Sequence, residues 1–150
     1  MVQIQFYHLT ATPLDRALPK LLEKVLSSGF RVLVVAGSDE QVDHLNHVLW
    51  TYDPGSFLPH GSMKDGHPEQ QPILLSTHIE AVNDAKVLLV TNGTTHEKTD
   101  GFERILDMFD GRDAQAVANA RTRWTSYKNA GCEVAYLRQT DNGGWEKKSA

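Results

Sequence analysis

The chain has 150 residues, enough for one domain with a real core, and its 40% hydrophobic and 23% charged content is ordinary for a soluble globular protein. A net charge of −4 argues against coating nucleic acid through the overall field, so any such contact needs a local patch. No run is long enough to span a membrane and MVQIQFYHL lacks a secretory pattern, while the single Cys132 points to a reducing cytoplasm.

In chain order, Val2, Ile4 and Phe6 alternate with polar neighbours as a first strand. Thr12-Pro13 then opens a helix whose apolar stripe is Leu14, Leu18, Leu21, Leu22, Val25 and Leu26, ending at Gly29. Val32–Ala36 is β-branched, short and bounded by glycines, which predicts a strand buried on both faces. Ser38 followed by Gln41 makes an N-cap pair for a helix carrying Val42, Leu45, Val48, Leu49 and Trp50. Asp53-Pro54-Gly55 forces a turn, and Ser56 to His60 is an apolar loop. Polar residues 61–71 read as a surface loop, and 72–76 and 86–91 as two more buried strands. Gly101 to Asp110 is expected to be a short helix, with Ile105, Leu106, Met108 and Phe109 on it. A longer helix from Asp113 to Asn129 stops at Gly131, and a last strand follows. Residues 140–150, with Gly143-Gly144-Trp145 and two lysines, look like a loose tail. Strands alternating with helices imply one α/β domain over 1–150, an open, mostly parallel sheet with helices on both faces.

Such a sheet invites a nucleotide-site hypothesis at the turn after each strand. His8-Leu9-Thr10-Ala11-Thr12-Pro13 has no glycine, so its backbone cannot close on a pyrophosphate. Gly37–Asp39 is better explained by helix capping, and Asn92–Thr95 is a polar turn with no Lys-Ser/Thr pair behind it. An enzyme binding nucleotides at this carboxyl edge is the alternative class. His44 and His47 lie at i, i+3, with His60 and His67 beyond, but no third ligand stands at a telling spacing, so no metal is expected. Cys132 reads as a structural thiol, and no nucleophile motif is visible. No cofactor is expected.

Two segments display apolar and basic groups instead. Between Arg112 and Lys128 stand Arg112, Arg121, Arg123 and Lys128 against one acid, Asp113. Ala116, Ala120, Trp124, Tyr127 and Ala130 make a core stripe, with Val117, Arg121, Trp124 and Lys128 along an adjoining face. That face is either a solvated cationic surface or a basic, partly apolar pocket for an acidic peptide. The second segment runs from Leu49 to His60, where Trp50 and Phe57 either plug the sheet edge or anchor a partner.

The ordered set FYHL, GFRVLVVAGSDEQVDHLNHVLWTYDPGSFLPHG, QPILLST, VLLVTNG and RTRWTSYKNAG resembles the chi subunit of bacterial DNA polymerase III holoenzyme over nearly the whole chain. The resemblance implies a fold shaped like nucleotide-binding domains but lacking nucleotide chemistry, and a non-catalytic place in the clamp loader beside the psi subunit. It implies contact with DNA only indirectly, through the acidic, Phe-terminated C-terminal tail of single-stranded DNA-binding protein. The family's tail-binding arginine falls on Arg121, with Arg123, Trp124, Tyr127 and Lys128 alongside. The psi-facing patch falls on Trp50 and Phe57, with Leu58 and Pro59 near. Thr125 departs from the family, which carries a basic residue a turn after that arginine; either Lys128 takes its place or the tail binds more weakly.

Overall fold

The computed structural model describes residues 2–53, 55, 58–91 and 101–148. Eight strands form one sheet: β1 (Gln3–Leu9), β2 (Val32–Val35), β3 (His60–Ser62), β4 (Ile73–Ser76), β5 (Val87–Thr91), β6 (Arg104–Asp110), β7 (Glu133–Gln139) and β8 (Trp145–Lys148). Their spatial order is β3-β4-β2-β5-β6-β1-β7-β8, and every pairing is parallel except the antiparallel β7–β8 edge. Among the described residues three α-helices complete the fold: α1 (Leu14–Ser27), α2 (Asp39–Thr51) and α3 (Ala114–Asn129). The open α/β architecture read from the sequence is the one observed.

Each central strand supplies two cores because successive side chains point to opposite faces. Tyr7, Leu9, Val32, Val34, Leu89, Leu106 and Met108 pack under α1 and α2. Ile4, Phe6, Leu33, Val90, Ile105 and Phe109 face the other way, toward Ala120, Trp124 and Tyr127 of α3. The first helices carry the chain from β1 out to β3, whereas α3 carries it from β6 across β1 to β7. With right-handed crossovers, that reversal puts α3 on the opposite face.

Two expectations are corrected. Residues 104–110 are not helical but form β6, buried between β1 and β5. The tail is not loose throughout: Thr140 and Gly144 close a turn, Gly143 adopts φ +87°, and Trp145–Lys148 pair with β7. Ser38 caps α2 through a 3.2 Å bond from the Gln41 amide, as its position suggested. Thr12 does not cap α1; its neighbour Pro13 occupies the N-cap position.

Gln139 organises the turn after β1. Its Oε1 accepts from the amides of Thr10, Ala11 and Thr12 at 3.2, 2.9 and 3.0 Å. Its Nε2 donates to Thr12 Oγ1 at 2.8 Å, and Thr10 Oγ1 donates to its carbonyl at 2.7 Å. The backbone amides that a phosphate would need are therefore already satisfied by a buried side chain. Truncating Gln139→Ala strands three donors and should lower unfolding free energy by about 1–3 kcal/mol. Urea unfolding checks this, and a loss below about 0.5 kcal/mol, the range of an ordinary surface change, would contradict the role.

Candidate protein-binding site

The carboxyl ends of β1, β6 and β7 meet the flank of α3 where the chain's direction across the sheet reverses. This is the place where open α/β sheets form their crevice. Asp113 starts α3 by accepting from the Gln115 and Ala116 amides. Ala120, fully buried, lets the helix approach the sheet closely.

Two arginines on that helix have opposite fates. Arg123 turns inward and donates to both carboxylate oxygens of Asp107, with Nε at 2.6 Å and an Nη at 2.9 Å. The side chains of Arg123 and Asp107 are 12% and 0% exposed. Burial pushes the Asp107 carboxyl above the usual carboxylate range, and the guanidinium works against that shift. Arg123, expected to contact the tail, is thus spent on the protein's own sheet. Arg121 is exposed and makes no ion pair or hydrogen bond through its side chain to any described residue.

Aromatic rings build the wall beside Arg121. Tyr127 meets Phe6 edge-on at 6.1 Å, and Tyr136 stacks on Phe6 at 6.2 Å. Trp124 is half-buried against the same core, with the Lys128 ammonium 5.3 Å from its ring. Val117, Arg121, Trp124 and Lys128 do share one flank of α3, as the spacing predicted. Thr125 is exposed and its hydroxyl donates back to the Arg121 carbonyl at 3.0 Å, so it offers no charge.

The strands add residues that the helix pattern missed. His8 pairs in register with Arg138, and Phe6 with Tyr136, so all four side chains share the α3 face. His8 lies 5.1 Å from the buried Phe109 ring and is hydrogen-bonded through Nδ1 to the Tyr136 hydroxyl. Burial, then Arg138, holds His8 below its ordinary value; Arg121 contributes the same way, against Gly111 and Asp110. Gly111 has to be glycine, because a Cβ there would stand 2.0 Å from the His8 ring and 2.4 Å from the Leu9 carbonyl. Strand alternation in MVQIQFYHL and CEVAYLRQ was the signal that could have found His8, Tyr136 and Arg138.

The second expected surface is split. Trp50 is 57% exposed at the end of α2, its ring 4.8 Å from that of His60 on the edge strand β3. His60 Nδ1 donates to the Leu58 carbonyl at 2.7 Å, leaving Nε2 buried without a hydrogen-bond partner. Met63, which directly follows β3 in the chain, is also exposed. Leu58 belongs to the core at 3% exposure, so it cannot face a partner; Pro59 is half-buried. Phe57 and the Asn92–Thr95 turn lie outside the described residues. His44 is engaged with Asp15 at 2.7 Å, and among the described residues no cluster of three metal-binding side chains occurs. Cys132 is half-buried, packed against the α3 side of the core. A hollow of about 1170 Å³ on the other face, between α1 and β8, contains none of the expected binding residues.

An open α/β sheet whose first turn is filled by its own glutamine carries, on its α3 flank, an exposed arginine unpaired among the described residues and set beside half-buried rings. The family model described as DNA polymerase III chi subunit, HolC, matches residues 1–135, and the chain belongs to that family, an accessory subunit of DNA polymerase III. Over 94 residues it is 34% identical to the probable DNA polymerase III subunit chi of Rickettsia prowazekii (strain Madrid E). That stretch covers 63% of this chain and 57% of the relative. No described helix is long and apolar enough to cross a membrane.

The two arginines should separate cleanly by stability. Arg123→Ala leaves Asp107 buried and unpaired and should cost about 3–5 kcal/mol. Arg121→Ala should stay within about 0.5 kcal/mol of the parent. Denaturant unfolding of both variants checks the assignment, and equal losses would contradict it.

Proposed function

We propose that this protein is a non-catalytic adaptor of the clamp-loader assembly, joining the polymerase to single-stranded DNA-binding protein by gripping its acidic, Phe-terminated C-terminal tail. The observation that carries this reading is Arg121, an exposed guanidinium with no counter-charge among the described residues, set beside half-buried aromatic rings. A guanidinium takes a carboxylate bidentately, and the Trp124 and Tyr127 side supplies apolar contact for a phenylalanine. Lys128 adds charge along the same flank, while Arg123 supports the site from below by fixing the helix. Contact with DNA is then indirect, through the coating protein.

Pairing with the psi subunit belongs to the opposite edge of the sheet, at α2 and β3. Trp50, Met63 and Pro59 form its accessible part, with Phe57 as the further expected anchor. Exposed Trp and Met beside an unsatisfied buried imidazole nitrogen suit a surface completed by another protein. The two surfaces lie on different elements, so one subunit can hold both partners at once. The domain's work is that of a tether, in a cytoplasmic setting.

Calorimetry with a synthetic tail peptide should give a micromolar dissociation constant, about −8 kcal/mol. Arg121→Ala or deletion of the peptide's terminal Phe should abolish the signal or weaken it severely, and added salt should reduce it. An absence of heat at low salt would overturn the reading. Separately, Trp50→Ala should lose psi in a co-elution assay while keeping its affinity for the tail peptide. Parallel loss of both would contradict two independent surfaces.

A further inference from the structure

One turn beyond Arg121 on α3 stands the uncharged Thr125. A second cation stands instead on the strand side, on β7. Arg138 is exposed, makes no ion pair or side-chain hydrogen bond to a described residue, and is in register with His8 on the α3 face. Resting on the tail-binding reading, we infer that Arg138 and the Tyr136 hydroxyl form a second anion contact across the crevice from Arg121, holding an acidic side chain of the tail while Arg121 holds its terminal carboxylate.

The hydroxyl brings a proton linkage with it. Both edges of the His8 ring are engaged: Nδ1 is hydrogen-bonded to Tyr136 Oη, and the Nε2 edge packs against the Gly111 backbone. The groups facing His8 are Arg138 and Tyr136 from β7, Arg121 from α3, and Asp110 with Gly111 at the end of β6. While His8 is neutral, Nδ1 accepts and the Tyr136 hydroxyl spends its proton on it. Once His8 is protonated, Nδ1–H donates to Tyr136 Oη and the hydroxyl hydrogen is released toward the crevice, where it can donate to a carboxylate. Two arginines oppose that protonation in the free protein, and an incoming carboxylate offsets them. Binding of the tail therefore takes up a proton and strengthens as pH falls toward the range in which His8 protonates. His8 acts here as a positioning residue, through Tyr136.

The test is calorimetry of the full-length protein with the tail peptide at pH 8 and pH 6, in two buffers of different ionisation enthalpy. The parent should bind several-fold tighter at pH 6, with net proton uptake. Arg138→Ala should weaken binding roughly tenfold, as expected for one charge-assisted contact. Neutralising the tail's internal acids should erase that sensitivity to Arg138. Tyr136→Phe, nearly isosteric, should still bind but with a flatter pH dependence, with thermal melts confirming that each variant folds. Binding by Arg138→Ala within twofold of the parent, or an unchanged pH profile in Tyr136→Phe, overturns this inference and leaves the role of Arg121 standing. Failure of the parent to bind the peptide at all overturns both.

Discussion

The buried pair of Arg123 with Asp107 sets the rotation of α3 on the sheet. A bidentate guanidinium–carboxylate contact tolerates little rotation about the helix axis, and removing either partner leaves a charge without water. Residues two apart on a helix point roughly 200° from one another. Holding Arg123 against β6 therefore holds Arg121 away from it, on the flank over β1 and β7. The same geometry brings Trp124 and Tyr127 down onto Phe6. One interior interaction thus decides which cation is presented to the outside and which rings stand beside it.

A second constraint makes the fold a scaffold. Parallel α/β sheets usually direct the amides of the first strand-to-helix turn at a ligand phosphate. In this chain Gln139, from the end of β7, fills that cradle and ties β7 to the start of α1. The α3 side of the sheet carries the half-buried Tyr136 and His8 rings over the buried Phe109, flanked by the exposed Arg121 and Arg138.

The order and type of most elements were legible because their apolar periodicity and caps were strong. Val32–Ala36 reads as a doubly buried strand, observed over Val32–Val35, and Ser38 as a cap, for physical reasons that survive in the three-dimensional arrangement. Residues 104–110 misled because Ile105, Leu106, Met108 and Phe109 also fit a helical stripe, and a short buried run cannot be told from one by periodicity alone. The charge at Asp107 obscured the strand further. Its neutralising partner lies sixteen residues downstream, and nothing local announces it. The same long-range pair is why the sequence sets Arg123 alongside Arg121 as a tail contact, although it is committed to Asp107. Trp145–Lys148 looked loose because a charged edge strand and a polar tail share a composition. Leu58 was grouped with its neighbours as a surface residue, yet an irregular loop can bury one side chain and expose the next. His8, Arg138 and Tyr136 come together only once β1 and β7, far apart in the chain, are known to be paired.

The division of labour between the two arginines can be observed directly in the guanidinium Nε–H resonances during a titration with the tail peptide. The account predicts that the Arg123 Nε–H is already protected from solvent exchange in the free protein and hardly moves, while that of Arg121 exchanges freely at first and becomes shifted and protected on binding. A freely exchanging Arg123, or a peptide that shifts Arg123 and leaves Arg121 untouched, would contradict it.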